Sequence, residues 1–376
     1  MKNRRVFMIC LLLLAFGSSS VGLKAETLSK EFKVKPGQLL TVDLDTGGRL
    51  VITGWDKNIV SVTARIRGAY EENIRLNLDK TFSGVRLSTD YIHKFRSHGG
   101  VDLDVKVPRK FDLQFDSKGG DLIVRQVEGE FSGQTAGGDL NLTDVKGVVD
   151  LETMGGDIEL TRSELDGSIQ TMGGDVDLDD LIGTVDCSTM GGDITYRNPG
   201  LKKAKKPIEL STMGGDILLE SAPAGAEMKT MGGDIRVNSA ANFIKARTMG
   251  GDIEIDELDG WVRASTAGGD VEVTILAESG KDGRDIDLSS KGGDIILTVP
   301  ADLPMNFDIT LTYTREYRRM PEIISDFDLD LETTQEWDTK LWGSPRKYIY
   351  GKGKVGDGRN TVKLKTINGR IVIRKG

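Results

Sequence analysis

Ten aspartates follow directly after a pair of glycines, and they are the side chains of this sequence whose type and spacing could do chemistry. They are Asp121, Asp139, Asp157, Asp175, Asp193, Asp216, Asp234, Asp252, Asp270 and Asp294. Rows of oxygen ligands suit a hard cation such as calcium. Carboxylates about 4.8 Å apart would otherwise repel by roughly 1 kcal/mol per neighbouring pair, even in water. Two interpretations stay open: backbone N–H groups of the turns cap the carboxylates, or cations bridge those from Asp139 to Asp270.

The spacing of these aspartates identifies a repeat. Most steps between neighbours are 18 residues, and the steps that end at Asp216 and Asp294 are longer. The pentad TMGGD begins at Thr153, Thr171, Thr189, Thr212, Thr230 and Thr248, and related pentads begin at Ser117, Thr135, Thr266 and Ser290. A fixed period of this length predicts a solenoid, in which each coil buries its apolar side against its neighbours. The longer steps predict exposed loops, one at Pro199-Gly200 and one around Gly280.

Apolar and polar residues alternate within each repeat, which is the period of a β-strand. Val149, Leu151 and Thr153 alternate with acidic residues before the glycines, and Ile158 and Leu160 continue the pattern after them. Glycine lets a tight corner take positive φ or bring two backbones close together. We therefore predict an all-β fold, a right-handed parallel β-helix with about 18 residues per coil and irregular β caps at both ends.

The threonine that opens each pentad has the parity of the core residues. We expect its methyl group to pack inside while its hydroxyl bonds a turn carbonyl or the next threonine, which is a structural role. An ice-binding face would need paired outward threonines, which this motif does not provide.

A methionine follows the threonine in six repeats and has the opposite parity. Simple alternation points these side chains outward, as a soft apolar stripe of the kind that marks an interaction surface. The alternative is that the glycine corner breaks the alternation and turns each sulfur inward. The stripe candidates are Met154, Met172, Met190, Met213, Met231 and Met249, and Lys118, Ala136, Ala267 and Lys291 limit the row.

The first 25 residues predict export. Basic residues precede an apolar run from Phe7 to Phe16 and then small residues, which is the pattern of a secretory signal peptide. We expect no membrane span in the mature chain. Removing the leader, with its four basic residues, changes the net charge from −8 to −12, which argues against nucleic acid as a partner. We interpret the remaining cysteine, Cys187, as a small buried hydrophobe.

The two ends of the mature chain depart from the regular step. We predict an N-terminal β region and cap over residues 26–116, regular repeats over 117–299, and C-terminal coils and a cap over 300–376. Residues 32–56 and the last residues, TVKLKTINGRIVIRKG, should be degenerate coils that close the solenoid. Near the C-terminus a basic stretch, 314–320, precedes an acidic one, 325–332. The two stretches either pair with each other or form part of a ligand patch with Tyr313, Tyr317, Trp337 and Trp342.

These motifs resemble a bacterial exported family of adhesin-like domains of unknown function. The resemblance rests on the opening F-x-V-x-P-G-x-L-x-V from Phe32, the many G-G-D-I-x-L coils and the closing T-I-N-G-R-I-V-I. It covers nearly the whole mature chain. It implies a right-handed β-helix and a location in the envelope or at the cell surface, and it implies no catalytic, cofactor or binding residues.

No residue pattern singles out a catalytic coil, because the carboxylates recur identically. A site of His93 and His98 lacks a clear third metal ligand. We therefore expect a non-catalytic protein without a cofactor, in the periplasm, at the cell surface or outside the cell. It would bind an envelope or surface component, protein or polysaccharide, through many weak contacts. The alternatives are a polysaccharide-active β-helix enzyme and an envelope scaffold that assembles with itself.

Overall fold

All regular secondary structure in the described residues is β-strand. The computed structural model describes residues 27–67, 73–93, 99–197, 206–276, 283–339 and 343–376. The first strands are β1 (Thr27–Lys33), β2 (Leu39–Leu44), β3 (Leu50–Trp55), β4 (Ile59–Arg67), β5 (Ile74–Lys80), β6 (Gly84–Tyr91) and β7 (Gly100–Pro108). The predicted signal peptide and the predicted loop residues Pro199, Gly200 and Gly280 lie outside these ranges.

The repeats form the next strands, and the chain ends in six more. Those of the repeats are β8 (Asp112–Ser117), β9 (Leu122–Arg125), β10 (Glu128–Thr135), β11 (Leu140–Thr143), β12 (Lys146–Thr153), β13 (Ile158–Thr171), β14 (Val176–Ile182), β15 (Val185–Ser188), β16 (Ile194–Arg197), β17 (Ile208–Ser211), β18 (Ile217–Ala222), β19 (Ala226–Lys229), β20 (Ile235–Arg247), β21 (Ile253–Ser265), β22 (Val271–Ile275), β23 (Ile286–Ser290) and β24 (Ile295–Val299). The last are β25 (Met305–Thr314), β26 (Ile323–Ser325), β27 (Asp330–Thr333), β28 (Arg346–Val355), β29 (Asn360–Ile367) and β30 (Ile371–Lys375).

Each glycine turn connects two ladders of parallel strands. The upstream ladder, which leads into the turns, runs in the order β6, β2, β8, β10, β12, β13, β15, β17, β19, β20, β21, β23, β29, β25. The downstream ladder, which leaves the turns, runs in the order β7, β3, β9, β11, β13, β14, β16, β18, β20, β21, β22, β24, β30, β26. We call their outward surfaces the upstream face and the downstream face. Strands β13, β20 and β21 are long enough to belong to both ladders.

Equivalent residues of successive repeats lie side by side in these ladders. Thr135 pairs with Thr153 and Thr153 with Thr171, so the register advances by one repeat at each strand. The fold is therefore all-β and solenoid-like, as the alternation and period indicate.

The inward residues of both ladders form a continuous core. Leu160, Leu178 and Tyr196 are completely buried neighbours in it. Cys187 is 3% exposed and is not in a disulfide, which confirms the prediction of a small buried hydrophobe. Burial raises the pKa of its thiol, so the thiol stays protonated and unreactive.

The ends of the ladders differ from the predicted order. The coil of β2 and β3 stacks directly on β8 and β9, while β6 and β7 lie outside it. The coil of β29 and β30 likewise stacks on β23 and β24, with β25 outside it. The prediction that these two coils close the solenoid is therefore wrong.

Antiparallel strands cover the outermost parallel ones. Strand β5 pairs with β6, β4 with β7, and β28 with β25. An antiparallel neighbour can be reached by a short connection in which the chain reverses direction, and such a neighbour covers the open edge of the outermost parallel strand. The segments between the two terminal coils and the regular repeats therefore take the outer positions.

Candidate functional site

The glycine turns align as one continuous edge, along which three rows of side chains run. The threonine row points inward, as its parity predicts, with members no more than 5% exposed from Thr135 to Thr266. Thr171 Oγ1 donates to the carbonyl oxygen of Gly156 at 2.8 Å and accepts from the N–H of Gly174 at 3.2 Å. The same pair of bonds recurs at Thr189 and Thr248. From Thr153 to Thr266 each hydroxyl thus ties its own turn to the previous one, whereas Thr135 bonds Gly137 within its own turn, and both arrangements confirm the structural role.

The second glycine of each turn is required by the approach of the neighbouring coil. A Cβ on Gly174 would overlap the carbonyl oxygen of Gly156 and lie 2.6 Å from Asp157 Oδ1. Neither Gly173 nor Gly174 has positive φ, so close approach rather than backbone freedom explains the residue there. Gly138, in an earlier turn, does have positive φ (106°).

The aspartate row is held together by hydrogen bonds between coils. The N–H of Asp175 donates to Oδ1 of Asp157 at 2.8 Å, and the same bond links each aspartate to the next from Asp121 to Asp294 at 2.6–3.2 Å. Each carboxylate therefore accepts from the following turn, not from its own turn as capping predicts. These bonds from N–H groups to carboxylate oxygens stabilise the row and partly offset the repulsion along it.

Arginines occupy both ends of the aspartate row. Arg370 donates through Nε and Nη2 to Oδ2 of Asp294 at 2.9 and 2.7 Å, and its own N–H continues the row of bonds to Oδ1. This ion pair raises the pKa of Arg370 further. At the other end, Arg49 takes the aspartate position in the turn next to Asp121, because Leu50 pairs with Leu122.

Metal ligands do not converge in the part of the chain that the structure describes. No group of three His, Cys, Asp or Glu side chains there is arranged to hold an ion. His98 lies outside the described ranges. Within those ranges no helix is long and apolar enough to cross a membrane.

The methionine row lies on the outside of the turn edge. The exposed fractions are 49% for Met154, 40% for Met190, 49% for Met213, 52% for Met231 and 48% for Met249. Met172 is intermediate. The tight glycine corner therefore does not turn these sulfurs into the core.

A depression opens where the methionine row ends. Its volume is about 570 Å³, and it lies among Met249, Ala267, Lys291 and Ile367. Ala267, Lys291 and Ile367 occupy the methionine position of their turns.

The C-terminal aromatic residues lie on the cap. Tyr313 contacts Trp337 edge-on at 5.8 Å, and Lys347 lies 5.2 Å from the centre of the Trp337 ring. Strand β27, from the acidic stretch, pairs with β28 and not with the basic stretch 314–320. Trp342 lies outside the described residues.

Sequence reasoning missed one repeated feature, a column of left-handed residues at the second corner of the early coils. Its members are Gln126, Asp144, Arg162 and Asp180, with φ between 47° and 57°. Asp144 also pairs with Arg162 at 3.0 Å. The 18-residue spacing of these positions is the signal that could have revealed the column.

The fold and the turn edge define a β-solenoid-like protein with a repeated polar and apolar edge. A family profile described as Toastrack DUF4097 matches residues 28–243. The chain therefore belongs to the Toastrack family, a domain family of unknown function. No curated protein matches the sequence.

Solved structures with some likeness come from three bacteria. A candidate cell adhesion protein from Clostridium sporogenes is 9% identical, with a TM-score of 0.20, 94% of this chain covered and 100% of that one. A candidate adhesin from Bacteroides fragilis is 14% identical, with a TM-score of 0.31 and coverages of 64% and 97%. A candidate adhesin from Parabacteroides merdae is 11% identical, with a TM-score of 0.20 and coverages of 73% and 90%. These TM-scores are too low to support a conclusion about this chain.

Proposed function

We propose that this protein is an exported, non-catalytic solenoid that binds a component of the cell envelope or surface. The solenoid is right-handed, with about 18 residues per coil and a cap at each end. The observation that carries this proposal is the exposed methionine row, in which Met213, Met231 and Met249 stand on successive coils at 48–52% exposure. A contiguous apolar stripe with polar surroundings is typical of an interaction surface.

The binding mechanism is multivalent contact. Each of the six coils with a methionine offers one flexible thioether, which adapts to irregular partner surfaces. Once one coil is engaged, the next contacts form at high effective concentration, so weak individual interactions multiply along the solenoid. The partner is a protein or a polysaccharide of the envelope.

The repetition of the turn edge favours binding over catalysis. A catalytic site needs one coil whose acid, base or nucleophile differs from the rest. Along the aspartate row the same carboxylate makes the same bond at each step, for example from Asp193 to Asp175 and from Asp234 to Asp216 at 2.8 and 2.7 Å.

Retention on isolated cell envelopes and on a panel of polysaccharides tests the proposal. Purified residues 26–376 should be retained saturably without releasing new sugar ends. Release of new ends would instead identify a polysaccharide-active enzyme and contradict the proposal.

A pair of matched variants locates the surface. Met213→Ser with Met231→Ser removes two side chains that are 49% and 52% exposed, and Val148→Ser with Ile182→Ser removes two that are both 51% exposed elsewhere. We expect the methionine variant to lose retention several-fold and the control to keep it. Equal losses in both variants, or none in either, would exclude the methionine row as the binding surface.

Cation binding by the aspartates from Asp139 to Asp270 stays a separate proposal. If calcium bridges them, a chelator should lower the melting temperature by several degrees. An unchanged melting temperature would leave the hydrogen bonds between successive turns as the whole role of the row.

A further inference from the structure

The upstream face carries its charges in two separate blocks. The strands of this face from β12 to β29 share two outward positions just before the turn. The first position forms a row from Asp150 to Lys363 in which strand pairing links all neighbours except Asp186 and Glu209, where the N–H of Glu209 donates to Asp186 Oδ1 at 3.0 Å. The coils from β12 to β17 carry Asp150, Glu152, Asp186 and Glu209 at the two outward positions. The coils from β20 to β29 carry Lys245, Arg247, Arg263, Lys363 and Lys365, with Asp287 as the one acidic exception.

Most of these charges have no partner of opposite sign within the described residues. None of the ion pairs there includes an acidic side chain of the first block, and none includes Arg247, Lys363 or Lys365. Ion pairs form at the boundary, where Glu227 contacts Lys229 at 2.5 Å and Lys245 at 3.5 Å. Arg263 contacts Asp287 at 3.6 Å.

The two blocks are antisymmetric about strand β19. One strand away on either side lie Glu209 and Lys245, and two strands away lie Asp186 and Arg263. Four strands away lie the pair Asp150 and Glu152 on one side and the pair Lys363 and Lys365 on the other. Three strands away, the uncharged Ser168 and Gln170 correspond to Asp287 and Ser289, so no like charges coincide there.

We propose that two copies of this chain pack together through their upstream faces. The copies are related by a two-fold axis that lies between the two faces, runs parallel to the strands and passes through the position of β19. Such an axis reverses the order of the coils and keeps the order of residues along each strand. Glu209 of one copy then faces Lys245 of the other, Asp186 faces Arg263, and Asp150 faces Lys363. Every such contact occurs twice because the interface is isologous.

Away from β19, charge complementarity selects this arrangement and this partner. On the axis itself Glu227 faces Glu227 of the second copy and Lys229 faces Lys229, and each of these residues already has an ion-pair partner within its own chain. A two-fold axis along the solenoid would place Asp150 on Asp150 and Lys363 on Lys363. The acidic block also lines a groove of about 390 Å³ that includes Glu152, Asp186 and Glu209, which has room for long basic side chains. A second copy presents lysine and arginine at the matching spacing.

The area of the face is sufficient for a specific dimer. Nine strands about 4.8 Å apart, with at least four residues in each, bury roughly 1,100 Å² in total, above the roughly 1,000 Å² that a specific interface needs. The same rotation places the two turn edges on one side of the dimer. The methionine rows of both copies then run next to each other. The dimer contact itself uses a separate surface and does not depend on the proposed binding function of the methionine rows.

Sedimentation velocity of residues 26–376 tests the dimer. The protein should be dimeric at low salt and should dissociate as salt increases, because charges at the rim of a face are screened. A monomer at low salt and micromolar concentration would overturn the inference.

Two complementary variants test the pairing itself. Asp150→Lys with Glu152→Lys places lysines opposite Lys363 and Lys365 of the second copy, and Lys363→Glu with Lys365→Glu places glutamates opposite Asp150 and Glu152. Each variant alone should dimerise at least about tenfold more weakly, because like charges then face each other. Mixed together, the two variants should form a heterodimer, since each block of one again meets the opposite charge.

A control variant of equal charge change separates this pairing from a general effect. Glu159→Lys with Glu272→Lys lies on the downstream face and should leave the dimer unchanged. The proposed face is wrong if either upstream variant dimerises as well as the parent or if the control weakens the dimer equally. Absence of a heterodimer in the mixture would reject the two-fold arrangement. A native circular dichroism spectrum of each variant excludes misfolding as the cause of weaker dimerisation.

Discussion

The upstream and downstream faces come from the same repeat but arrange their charges differently. On the downstream face single arginines lie among acidic residues, so that Arg197 meets Asp177 at 3.1 Å and Arg236 meets Glu254 at 3.2 Å, while Glu254 also pairs in register with Glu272. On the upstream face like charges sit on neighbouring coils, and Glu209 pairs in register with Glu227.

The two faces show that the solenoid itself does not determine the order of charges along it. Like charges directly opposite each other in a sheet are destabilising, whereas opposite charges contribute a few tenths of a kcal/mol or more. The downstream face therefore pairs Arg197 and Arg236 with acidic residues of the same chain. The upstream face keeps opposite charges apart, which a second molecule can neutralise.

The turn that both faces share should give the largest effect on stability. Gly174→Ala should lower the free energy of unfolding by about 2 to 4 kcal/mol, because its Cβ overlaps the Gly156 carbonyl of the adjacent coil. Gly173→Ala is the matched control, since its nearest neighbour would be 3.6 Å away. Urea unfolding measures both changes, and equal losses would show that conformational freedom, not close approach, explains the second glycine.

The hydroxyl that links successive turns should give the next largest effect. Thr171→Val keeps the shape but leaves the Gly156 carbonyl and the Gly174 N–H without their partner, which should cost about 1 to 3 kcal/mol. Thr161→Val, whose hydroxyl bonds only the exposed Glu159 side chain in the described residues, should change little. A larger loss of unfolding free energy in Thr161→Val than in Thr171→Val would contradict this expectation.

A pH titration at the boundary of the two blocks should give the smallest effect. The hydrogen bond from Lys229 lowers the pKa of Glu227 below its ordinary value of 4.5. Its stabilising contribution is therefore complete above pH 4.5 and is lost as the pH falls through the lowered pKa. Glu227→Gln should cost at most about 1 kcal/mol at neutral pH, because the pair is largely solvated.

Unfolding curves of the monomer at several pH values measure this loss. The parent and Glu227→Gln should converge in stability at acid pH. A difference between them that grows as the pH falls would contradict the sign.

Much of the turn edge could be predicted from the repeat. Parity along the strand placed Thr171 inside, and the burial of Cys187 followed from the same alternation. The partner of each aspartate could not be predicted, because Asp157 Oδ1 bonds the N–H of a residue one coil away. That bond depends on how closely two turns approach, which the pattern within one repeat does not contain.

The order of the end coils could not be predicted either. Local alternation identifies β2 and β29 as strands, but it does not say which strands pair with them. Strand β6 pairs with β2 on the side opposite β8 because the apolar face and the free edge of the first coil both need cover.

Local sequence pattern specifies the β-strands, the corners, the inward threonines and the alignment of equivalent residues, because a period of two and a repeat of 18 act through local backbone geometry. The tertiary structure decided which coils lie outermost, how the carboxylates are satisfied, and which charges share a face. Those features depend on contacts between strands far apart in the chain, where pairing and close approach, not local pattern, select the partners.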